Sequence, residues 1–305
     1  MIDSAQKTIL YKRRNFGQRL SASVDFIQKN AKILYKNMFI VILVFSALTG
    51  FFMKDYFNAI MGNLGSGLDS NDTSFIISIL GMGLISLIGF IAIYAITCSY
   101  LKAAGEGKLS KESVLGDFKE SIFSNAGRIF ITGLIVFVIS LIVMVLISVL
   151  LAGVIDDEAA AVLVACIILM IIVVVFAPSL YLCIYPACFE DISIIGGLRK
   201  GFRLGFNFWG TTFLTAMLCG LIVSVIQYLF LIPLYICMFA GVLLSTSGLH
   251  FLSSFFNYIA SFIASFGMYF SMPFLAICIA FQYFSIREEQ EGISLSDKIK
   301  EFENL

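Results

Sequence analysis

The chain has 305 residues, is 60% hydrophobic and only 13% charged, and carries no formal net charge. Its mean hydropathy is +0.98. A soluble domain is nearer half apolar and a quarter charged, so this composition excludes an ordinary water-soluble fold. The first 36 residues are polar and basic and lack a short apolar core, so no cleavable signal peptide is expected and the first span reads as an uncleaved anchor. Apolar stretches long enough to cross a bilayer then fall at about 38–54, 74–101, 129–154, 159–187, 210–240 and 256–283. The first is short, and Lys36 and Lys54 at its ends are able to snorkel to the surfaces. The fifth is long, apolar from Phe213 to Leu244 with Pro233 inside, and a kink or tilt absorbs the excess.

Nineteen of the twenty Lys and Arg residues fall on one side of this six-span reading, and only Lys54 falls on the other. Opposite loops carry Asp55, Asp69, Asp72, Asp156, Asp157 and Glu158. Basic residues close to spans stay cytoplasmic. The expectation is therefore a multi-pass protein of the cell inner membrane with both termini cytoplasmic and a basic inner face that favours anionic lipid headgroups. Splitting the fifth span would place the basic tail outside, against that rule.

Three segments ahead of the odd-numbered spans share one apolar spacing. Val24, Ile27, Ala31, Tyr35 and Met38 set it; Leu115, Phe118, Ile122, Ala126 and Ile129 repeat it; Ile195, Leu198, Phe202, Phe206 and Trp209 repeat it again. Each is one stripe of a helix, and the remaining faces are polar. Such helices are expected to lie in the inner interface. The predicted fold is thus an all-α membrane protein, a single polytopic domain over 1–305, with six transmembrane helices in three parallel hairpin units. Unit 1 is 16–104, unit 2 is 109–190 and unit 3 is 191–285, each opening on an interfacial amphipathic helix. A cytoplasmic tail covers 286–305, where Leu295, Ile299 and Phe302 form a further stripe. Units with an even number of spans are related by an axis along the membrane normal.

Chemistry is sparse. The interiors of the spans hold no Asp, Glu, Lys, Arg or His, which argues against ion-driven transport. One histidine, His250, cannot build a two-His zinc site or a confident Ser-His-Asp set. The seven cysteines lack paired metal or redox spacing. Asp156, Asp157 and Glu158 read as a solvated loop tip more readily than as a cation site. No catalytic residue, metal, cofactor or nucleic-acid partner is expected. Arg199, Lys200 and Arg203 on the third amphipathic helix are the candidate contact with lipid or a protein partner. Gly197, Gly201 and Gly205, at four-residue spacing beside them, form either a docking groove or a tight packing seam, and packing is the more ordinary use. Gln227, Pro233 and Pro273 are the candidate lining of a cavity, since broken helices border cavities in transporters.

The stretch PACFEDISIIGGLRKGFRLGFNFWGTTF, Pro186 to Phe213, places an acid after a span, a basic pair in an amphipathic turn, and an Asn-aromatic-Trp run into the next span. It resembles the bacterial superfamily of six-span proteins that includes the membrane domain of some glycerophosphodiester phosphodiesterases and the YciC-like inner-membrane proteins. The tail QYFSIREEQEGISLSDKI, Gln282 to Ile299, is similar to that of multi-pass proteins of the Bacteroidota. Gly201 departs from the pattern, where a Ser is expected. The resemblance implies a membrane-domain role and carries no catalytic residue onto this sequence, since one histidine cannot supply the phosphodiesterase site.

The reading is a non-enzymatic scaffold or accessory subunit that engages lipid and a partner protein. The alternative is a carrier or channel for an apolar or amphipathic solute such as a lipid. Sidedness is directly testable. A cysteine placed at Arg199 should resist a membrane-impermeant thiol reagent applied to intact cells and react after permeabilisation; reaction in intact cells would overturn the orientation.

Overall fold

The computed structural model describes residues 8–62, 73–110, 112–152, 158–190, 192–245 and 250–293. These form seven α-helices and no strand among the described residues. They are α1 (Phe16–Gly62), α2 (Thr73–Gly105), α3 (Lys119–Ala152), α4 (Glu158–Phe189), α5 (Ile194–Asn207), α6 (Trp209–Ser245) and α7 (His250–Glu291). A 3-10 turn, Leu115–Phe118, leads into α3. All but α5 are long and apolar enough to cross a membrane, so the protein is an all-α, multi-pass membrane protein.

The helices end where the sequence supplies a stop. Gly107 adopts positive φ after α2, where Lys108 N–H donates to Ala103 O at 2.9 Å and Gly107 N–H to Ala104 O at 3.3 Å. This paired closure satisfies two terminal carbonyls. Gly292, φ 56°, ends α7, its N–H donating to Glu288 O. Nothing breaks the chain between Ser285 and Glu291, so the first residues of the expected tail are the last turns of α7. The Leu295, Ile299 and Phe302 stripe lies outside the described residues, as do Asp69, Asp72, Asp156 and Asp157.

Helix α7 has 42 residues, about 63 Å at 1.5 Å per residue, roughly twice a 30 Å hydrocarbon core. Its second half is the core of the molecule. Tyr269, Ala276, Ile277, Ile279, Ala280, Phe281, Tyr283, Phe284 and Ile286 are all buried. Helix α1, of 47 residues, runs antiparallel beside it. Phe26 meets Phe281, Tyr35 stacks on Phe270, Phe39 meets Phe266, and Thr49 shares a 2.7 Å hydrogen bond with Tyr269. A Cβ on Gly50 would lie 2.8 Å from the Phe262 backbone, so these helices touch main chain to main chain. Helix α6 flanks the other side through Phe230, which packs on Phe266 and Phe270.

Two of the three expected interfacial helices are not separate helices. The first amphipathic segment is no separate interfacial helix; it is the first half of α1, and no Gly or Pro falls in it between Gly17 and Gly50. Of its apolar stripe, Met38 is buried, Ile27 and Tyr35 pack against the core with Tyr35 stacked on Phe270 of α7, and the neighbouring Phe26 and Leu34 are buried beside them. The second segment is divided between the 3-10 turn and the opening turns of α3. Only the third forms a helix of its own, α5, set off by Ser193, whose side chain accepts from Gly196 N–H, and by the break at Phe208. Helix α6 is single and uninterrupted through Pro233, as the charge rule requires.

Two prolines are accommodated by aromatic donors from neighbouring helices. A proline within a helix leaves carbonyls in the preceding turn without their usual donor, and other helices must satisfy them. Three residues before Pro178 in α4, Val175 O accepts from Trp209 Nε1–H at 2.9 Å. Three residues before Pro273 in α7, Phe270 O accepts from the Tyr35 hydroxyl at 3.1 Å. Tyr35→Phe keeps the ring stack and removes that donor. It should lower unfolding stability by about 1 kcal/mol and accelerate amide exchange around Phe270; unchanged exchange there would refute the role.

Candidate functional site

The basic segments converge at one end of the bundle. Thr8 N–H donates to Ala104 O, tying the N-terminal segment to the end of α2. Arg14 folds back on its own segment, its guanidinium donating to Leu10 O at 2.8 Å and Ile9 O at 2.7 Å, while its backbone N–H donates to Ser285 Oγ on α7. Arg19, buried, donates to Arg14 O at 2.9 Å and to Gln282 Oε1 at 2.6 Å. Gln282 in turn donates to Thr212 Oγ1 at 3.1 Å and accepts from Thr215 at 3.1 Å on α6. A buried cation is tolerable only with such a set of oxygen acceptors. This chain of bonds joins α1, α7 and α6.

A second cluster joins α4, α5, α7 and the N-terminal segment. Glu190, just past α4, accepts from Lys200 of α5 at 2.8 Å, pairs with Arg287 of α7 at 3.4 Å, and receives a short hydrogen bond from the Tyr283 hydroxyl. Glu291 pairs with Lys200 at 2.5 Å and with Arg287 one turn earlier on α7. Arg287 also donates to Tyr11 Oη and lies over the Tyr11 and Tyr283 rings. Burial raises the Tyr11 hydroxyl above its ordinary value against the pull of Arg287, so it stays protonated at neutral pH. The side chains of Glu190 and Arg287 are only 9% and 13% exposed. Two acids facing two cations make the cluster neutral, which suits a structural clasp better than an open binding position. Beside the cluster, Arg128 of α3 caps the end of α4 by donating to the backbone oxygens Ala187 O at 2.6 Å and Glu190 O at 3.2 Å, a favourable place for a cation at a helix C-terminus.

The three expected cations of α5 thus divide. Lys200 is held in the clasp. Arg199 and Arg203 are exposed and make no ion pair among the described residues. Ile195, 74% exposed, and Phe206, 45% exposed, continue their side of the helix. The glycines face the opposite way, into α4. A Cβ at Gly197 would meet Ala187 N at 3.1 Å, one at Gly201 would meet Cys183 Cα at 2.5 Å, and one at Gly205 would strike the Ser179 backbone. The seam is filled by α4, so these glycines offer no free docking groove: small residues here let two helix backbones touch.

The candidate cavity residues also sit in packing. Gln227 Nε2–H donates to Ser271 Oγ at 3.2 Å across the α6–α7 seam, two residues before Pro273. Pro273 is buried and Pro233 half-buried. His250 begins α7, and its side chain lies outside the described ones. Among the described residues no group of three His, Cys, Asp or Glu is placed to hold a metal ion. Sequence reasoning passed over Glu190, Arg287, Glu291, Arg19 and Gln282. The i, i+4 spacing of Arg287 and Glu291 was the one local signal; the others pair across helices far apart in sequence.

No protein-family model matches this sequence, and no curated protein or solved structure is significantly similar to it. Function is therefore argued from the site. The glycine seam gives a direct test. Gly201→Ala should lower stability by about 1–3 kcal/mol, because the new methyl meets backbone that cannot yield, despite a gain of about 1 kcal/mol in helix propensity. Gly127→Ala in α3, with open space around it, should show only the gain. Equal thermal midpoints in detergent for both variants would refute the seam.

Proposed function

We propose that the protein is a non-enzymatic scaffold or accessory subunit of the cell inner membrane, with both termini cytoplasmic, that engages anionic lipid headgroups and a protein partner through its basic end. One observation carries this reading. Arg199 and Arg203 project one turn apart from a helix whose other face is locked to α4, and neither has a carboxylate partner among the described residues. Elsewhere at this end, buried cations are matched: Lys200 and Arg287 by acids, Arg14 and Arg19 by carbonyl and side-chain oxygens. Two exposed, unmatched guanidinium groups flanked by Ile195 and Phe206 have the character of an interfacial helix, apolar groups toward the acyl boundary and cations toward phosphates. The same mixture of Arg and aromatic side chains suits the core of a protein interface.

The rival reading, a carrier or channel for an apolar or amphipathic solute such as a lipid, draws on the prolines and Gln227. Their engagement in interhelical hydrogen bonds favours the scaffold. Arg199→Gln with Arg203→Gln should reduce preference for anionic over neutral lipid. Each cation near an anionic surface contributes about 1 kcal/mol, so the combined loss is roughly tenfold or more, with the fold unchanged. Lys200→Gln should instead lower the thermal midpoint and leave lipid preference nearly intact. Lipids retained by the purified variants, compared by mass spectrometry, decide the matter; equal retention of anionic and neutral lipid by all forms would overturn the proposal.

A further inference from the structure

We propose that a polar cleft between the end of α2 and the start of α3 binds a phosphoethanolamine-type group, a zwitterion that carries both a phosphate and a primary ammonium. The cleft encloses ≈ 520 Å³, within the usual size of small-molecule sites. Three lysines, Lys102, Lys108 and Lys119, and three acids, Glu106, Asp117 and Glu120, line it. Two of the six are engaged with each other: Lys108 pairs with Glu106 at 2.6 Å. Asp117 accepts from Val114 N–H at 2.8 Å, which fixes the opening turn of the helix. Lys102, Lys119 and Glu120 have no ion-pair partner among the described residues. Two available ammonium groups beside one available carboxylate and one capping carboxylate, with the Lys108–Glu106 pair, give a cleft that offers both signs and carries no net charge. A ligand with the same property, neutral overall and dipolar, matches it better than a simple anion.

The floor gives the polarity a direction. Ser99, buried, donates to Ala95 O at 2.9 Å, so its hydroxyl hydrogen is used. Ser99 Oγ accepts from Ser121 at 3.1 Å and from Asn125 at 2.9 Å. Ser121 has therefore spent its own hydrogen, and its oxygen is left as an acceptor. An acceptor next to Glu120 suits an ammonium that donates, whereas Lys102 and Lys119 suit the phosphate. A trimethylated ammonium has no N–H to offer there. The apolar Phe123, 69% exposed one turn beyond Lys119 on the same side of α3, supplies a surface for acyl chains at the edge of the cleft, which makes a lipid the expected carrier of the group. This site is separate from Arg199 and Arg203, and the inference does not rest on their role.

The full-length protein in neutral detergent, titrated by native mass spectrometry with phosphatidylethanolamine, phosphatidylcholine and phosphatidylglycerol, tests it. Phosphatidylethanolamine should bind at least about fivefold more tightly than either of the others, a difference of about 1 kcal/mol. Lys102→Gln with Lys119→Gln should weaken phosphatidylethanolamine about tenfold, and Glu120→Gln should bring the ethanolamine-to-choline ratio toward one. Arg199→Gln with Arg203→Gln should leave that ratio unchanged, which separates this site from the anionic-lipid surface of α5. Competition by soluble glycerophosphoethanolamine would show that the group binds without chains; lipid binding that it fails to displace would place the chains on Phe123. Equal binding of the three lipids by the unmodified protein would overturn the proposal, as would tighter binding of phosphatidylglycerol or insensitivity to the paired lysine change.

Discussion

The structure is organised by a helix too long for its solvent. α7 carries no Asp, Glu, Lys or Arg from His250 to Ile286, a run that at about 1.5 Å per residue reaches well past any bilayer. At that level α1 exposes Lys29, Lys32 and Lys36 on its outer face, and ammonium groups do not face hydrocarbon without large cost. The second half of α7 is buried almost throughout, so it meets protein and not lipid. Protein covers it instead: α1 along one side, α6 along the other, and Tyr185 of α4, whose hydroxyl donates to Ala276 O at 2.7 Å. The near-total burial of Ala276 to Ile286 follows from this constraint. So does the unusual length of α1, which must accompany α7 both in and beyond the membrane.

That arrangement explains why the helices differ so much in burial. Residues of α3 from Phe137 to Leu150 are largely exposed, and so is α4 from Val162 to Phe176. Within a bilayer such exposure costs nothing, because acyl chains are as apolar as the side chains. α4 becomes part of the core only near its end, where Leu182, Cys183, Tyr185, Ala187 and Cys188 are buried. There polar interactions share the work of association. Arg19–Gln282–Thr212 and Glu190–Arg287–Glu291 lie at that end, where their alternatives in water would otherwise compete and where burial by neighbouring helices makes each bond count.

The number and approximate position of the spans were legible because length and hydropathy are local properties. The convergence of the basic segments was legible because it follows from alternation. What the apolar stripe of 24–38 packs against was not legible. A stripe facing lipid and a stripe facing another helix have the same 3.6-residue period, and only the tertiary partner separates them. Tyr35 and Met38 would serve either purpose. The glycines of α5 announced close approach correctly, since only a backbone neighbour requires three small residues four apart; whether that neighbour was α4 or a foreign helix lay beyond one sequence. The clasp was hidden for a different reason. Glu190 read as an acid after a span, and its partners Lys200 and Arg287 lie 10 and 97 residues away.

The division of labour among neighbouring cations is the strongest functional statement the molecule makes. Arg199 and Lys200 are adjacent in sequence and differ by about 100° around the helix. That rotation sends one into a neutral clasp and the other outward. Were α5 held by charge alone, all of its cations would be drawn toward Glu190 and Glu291. The glycine seam removes that need by anchoring the helix through backbone contact with Ala187, Cys183 and Ser179, and so leaves Arg199 and Arg203 without an ion pair among the described residues. An exposed unpaired guanidinium adds almost nothing to folding stability. A pair of them, fixed in orientation beside Ile195 and Phe206, has its value in what the protein meets at its surface.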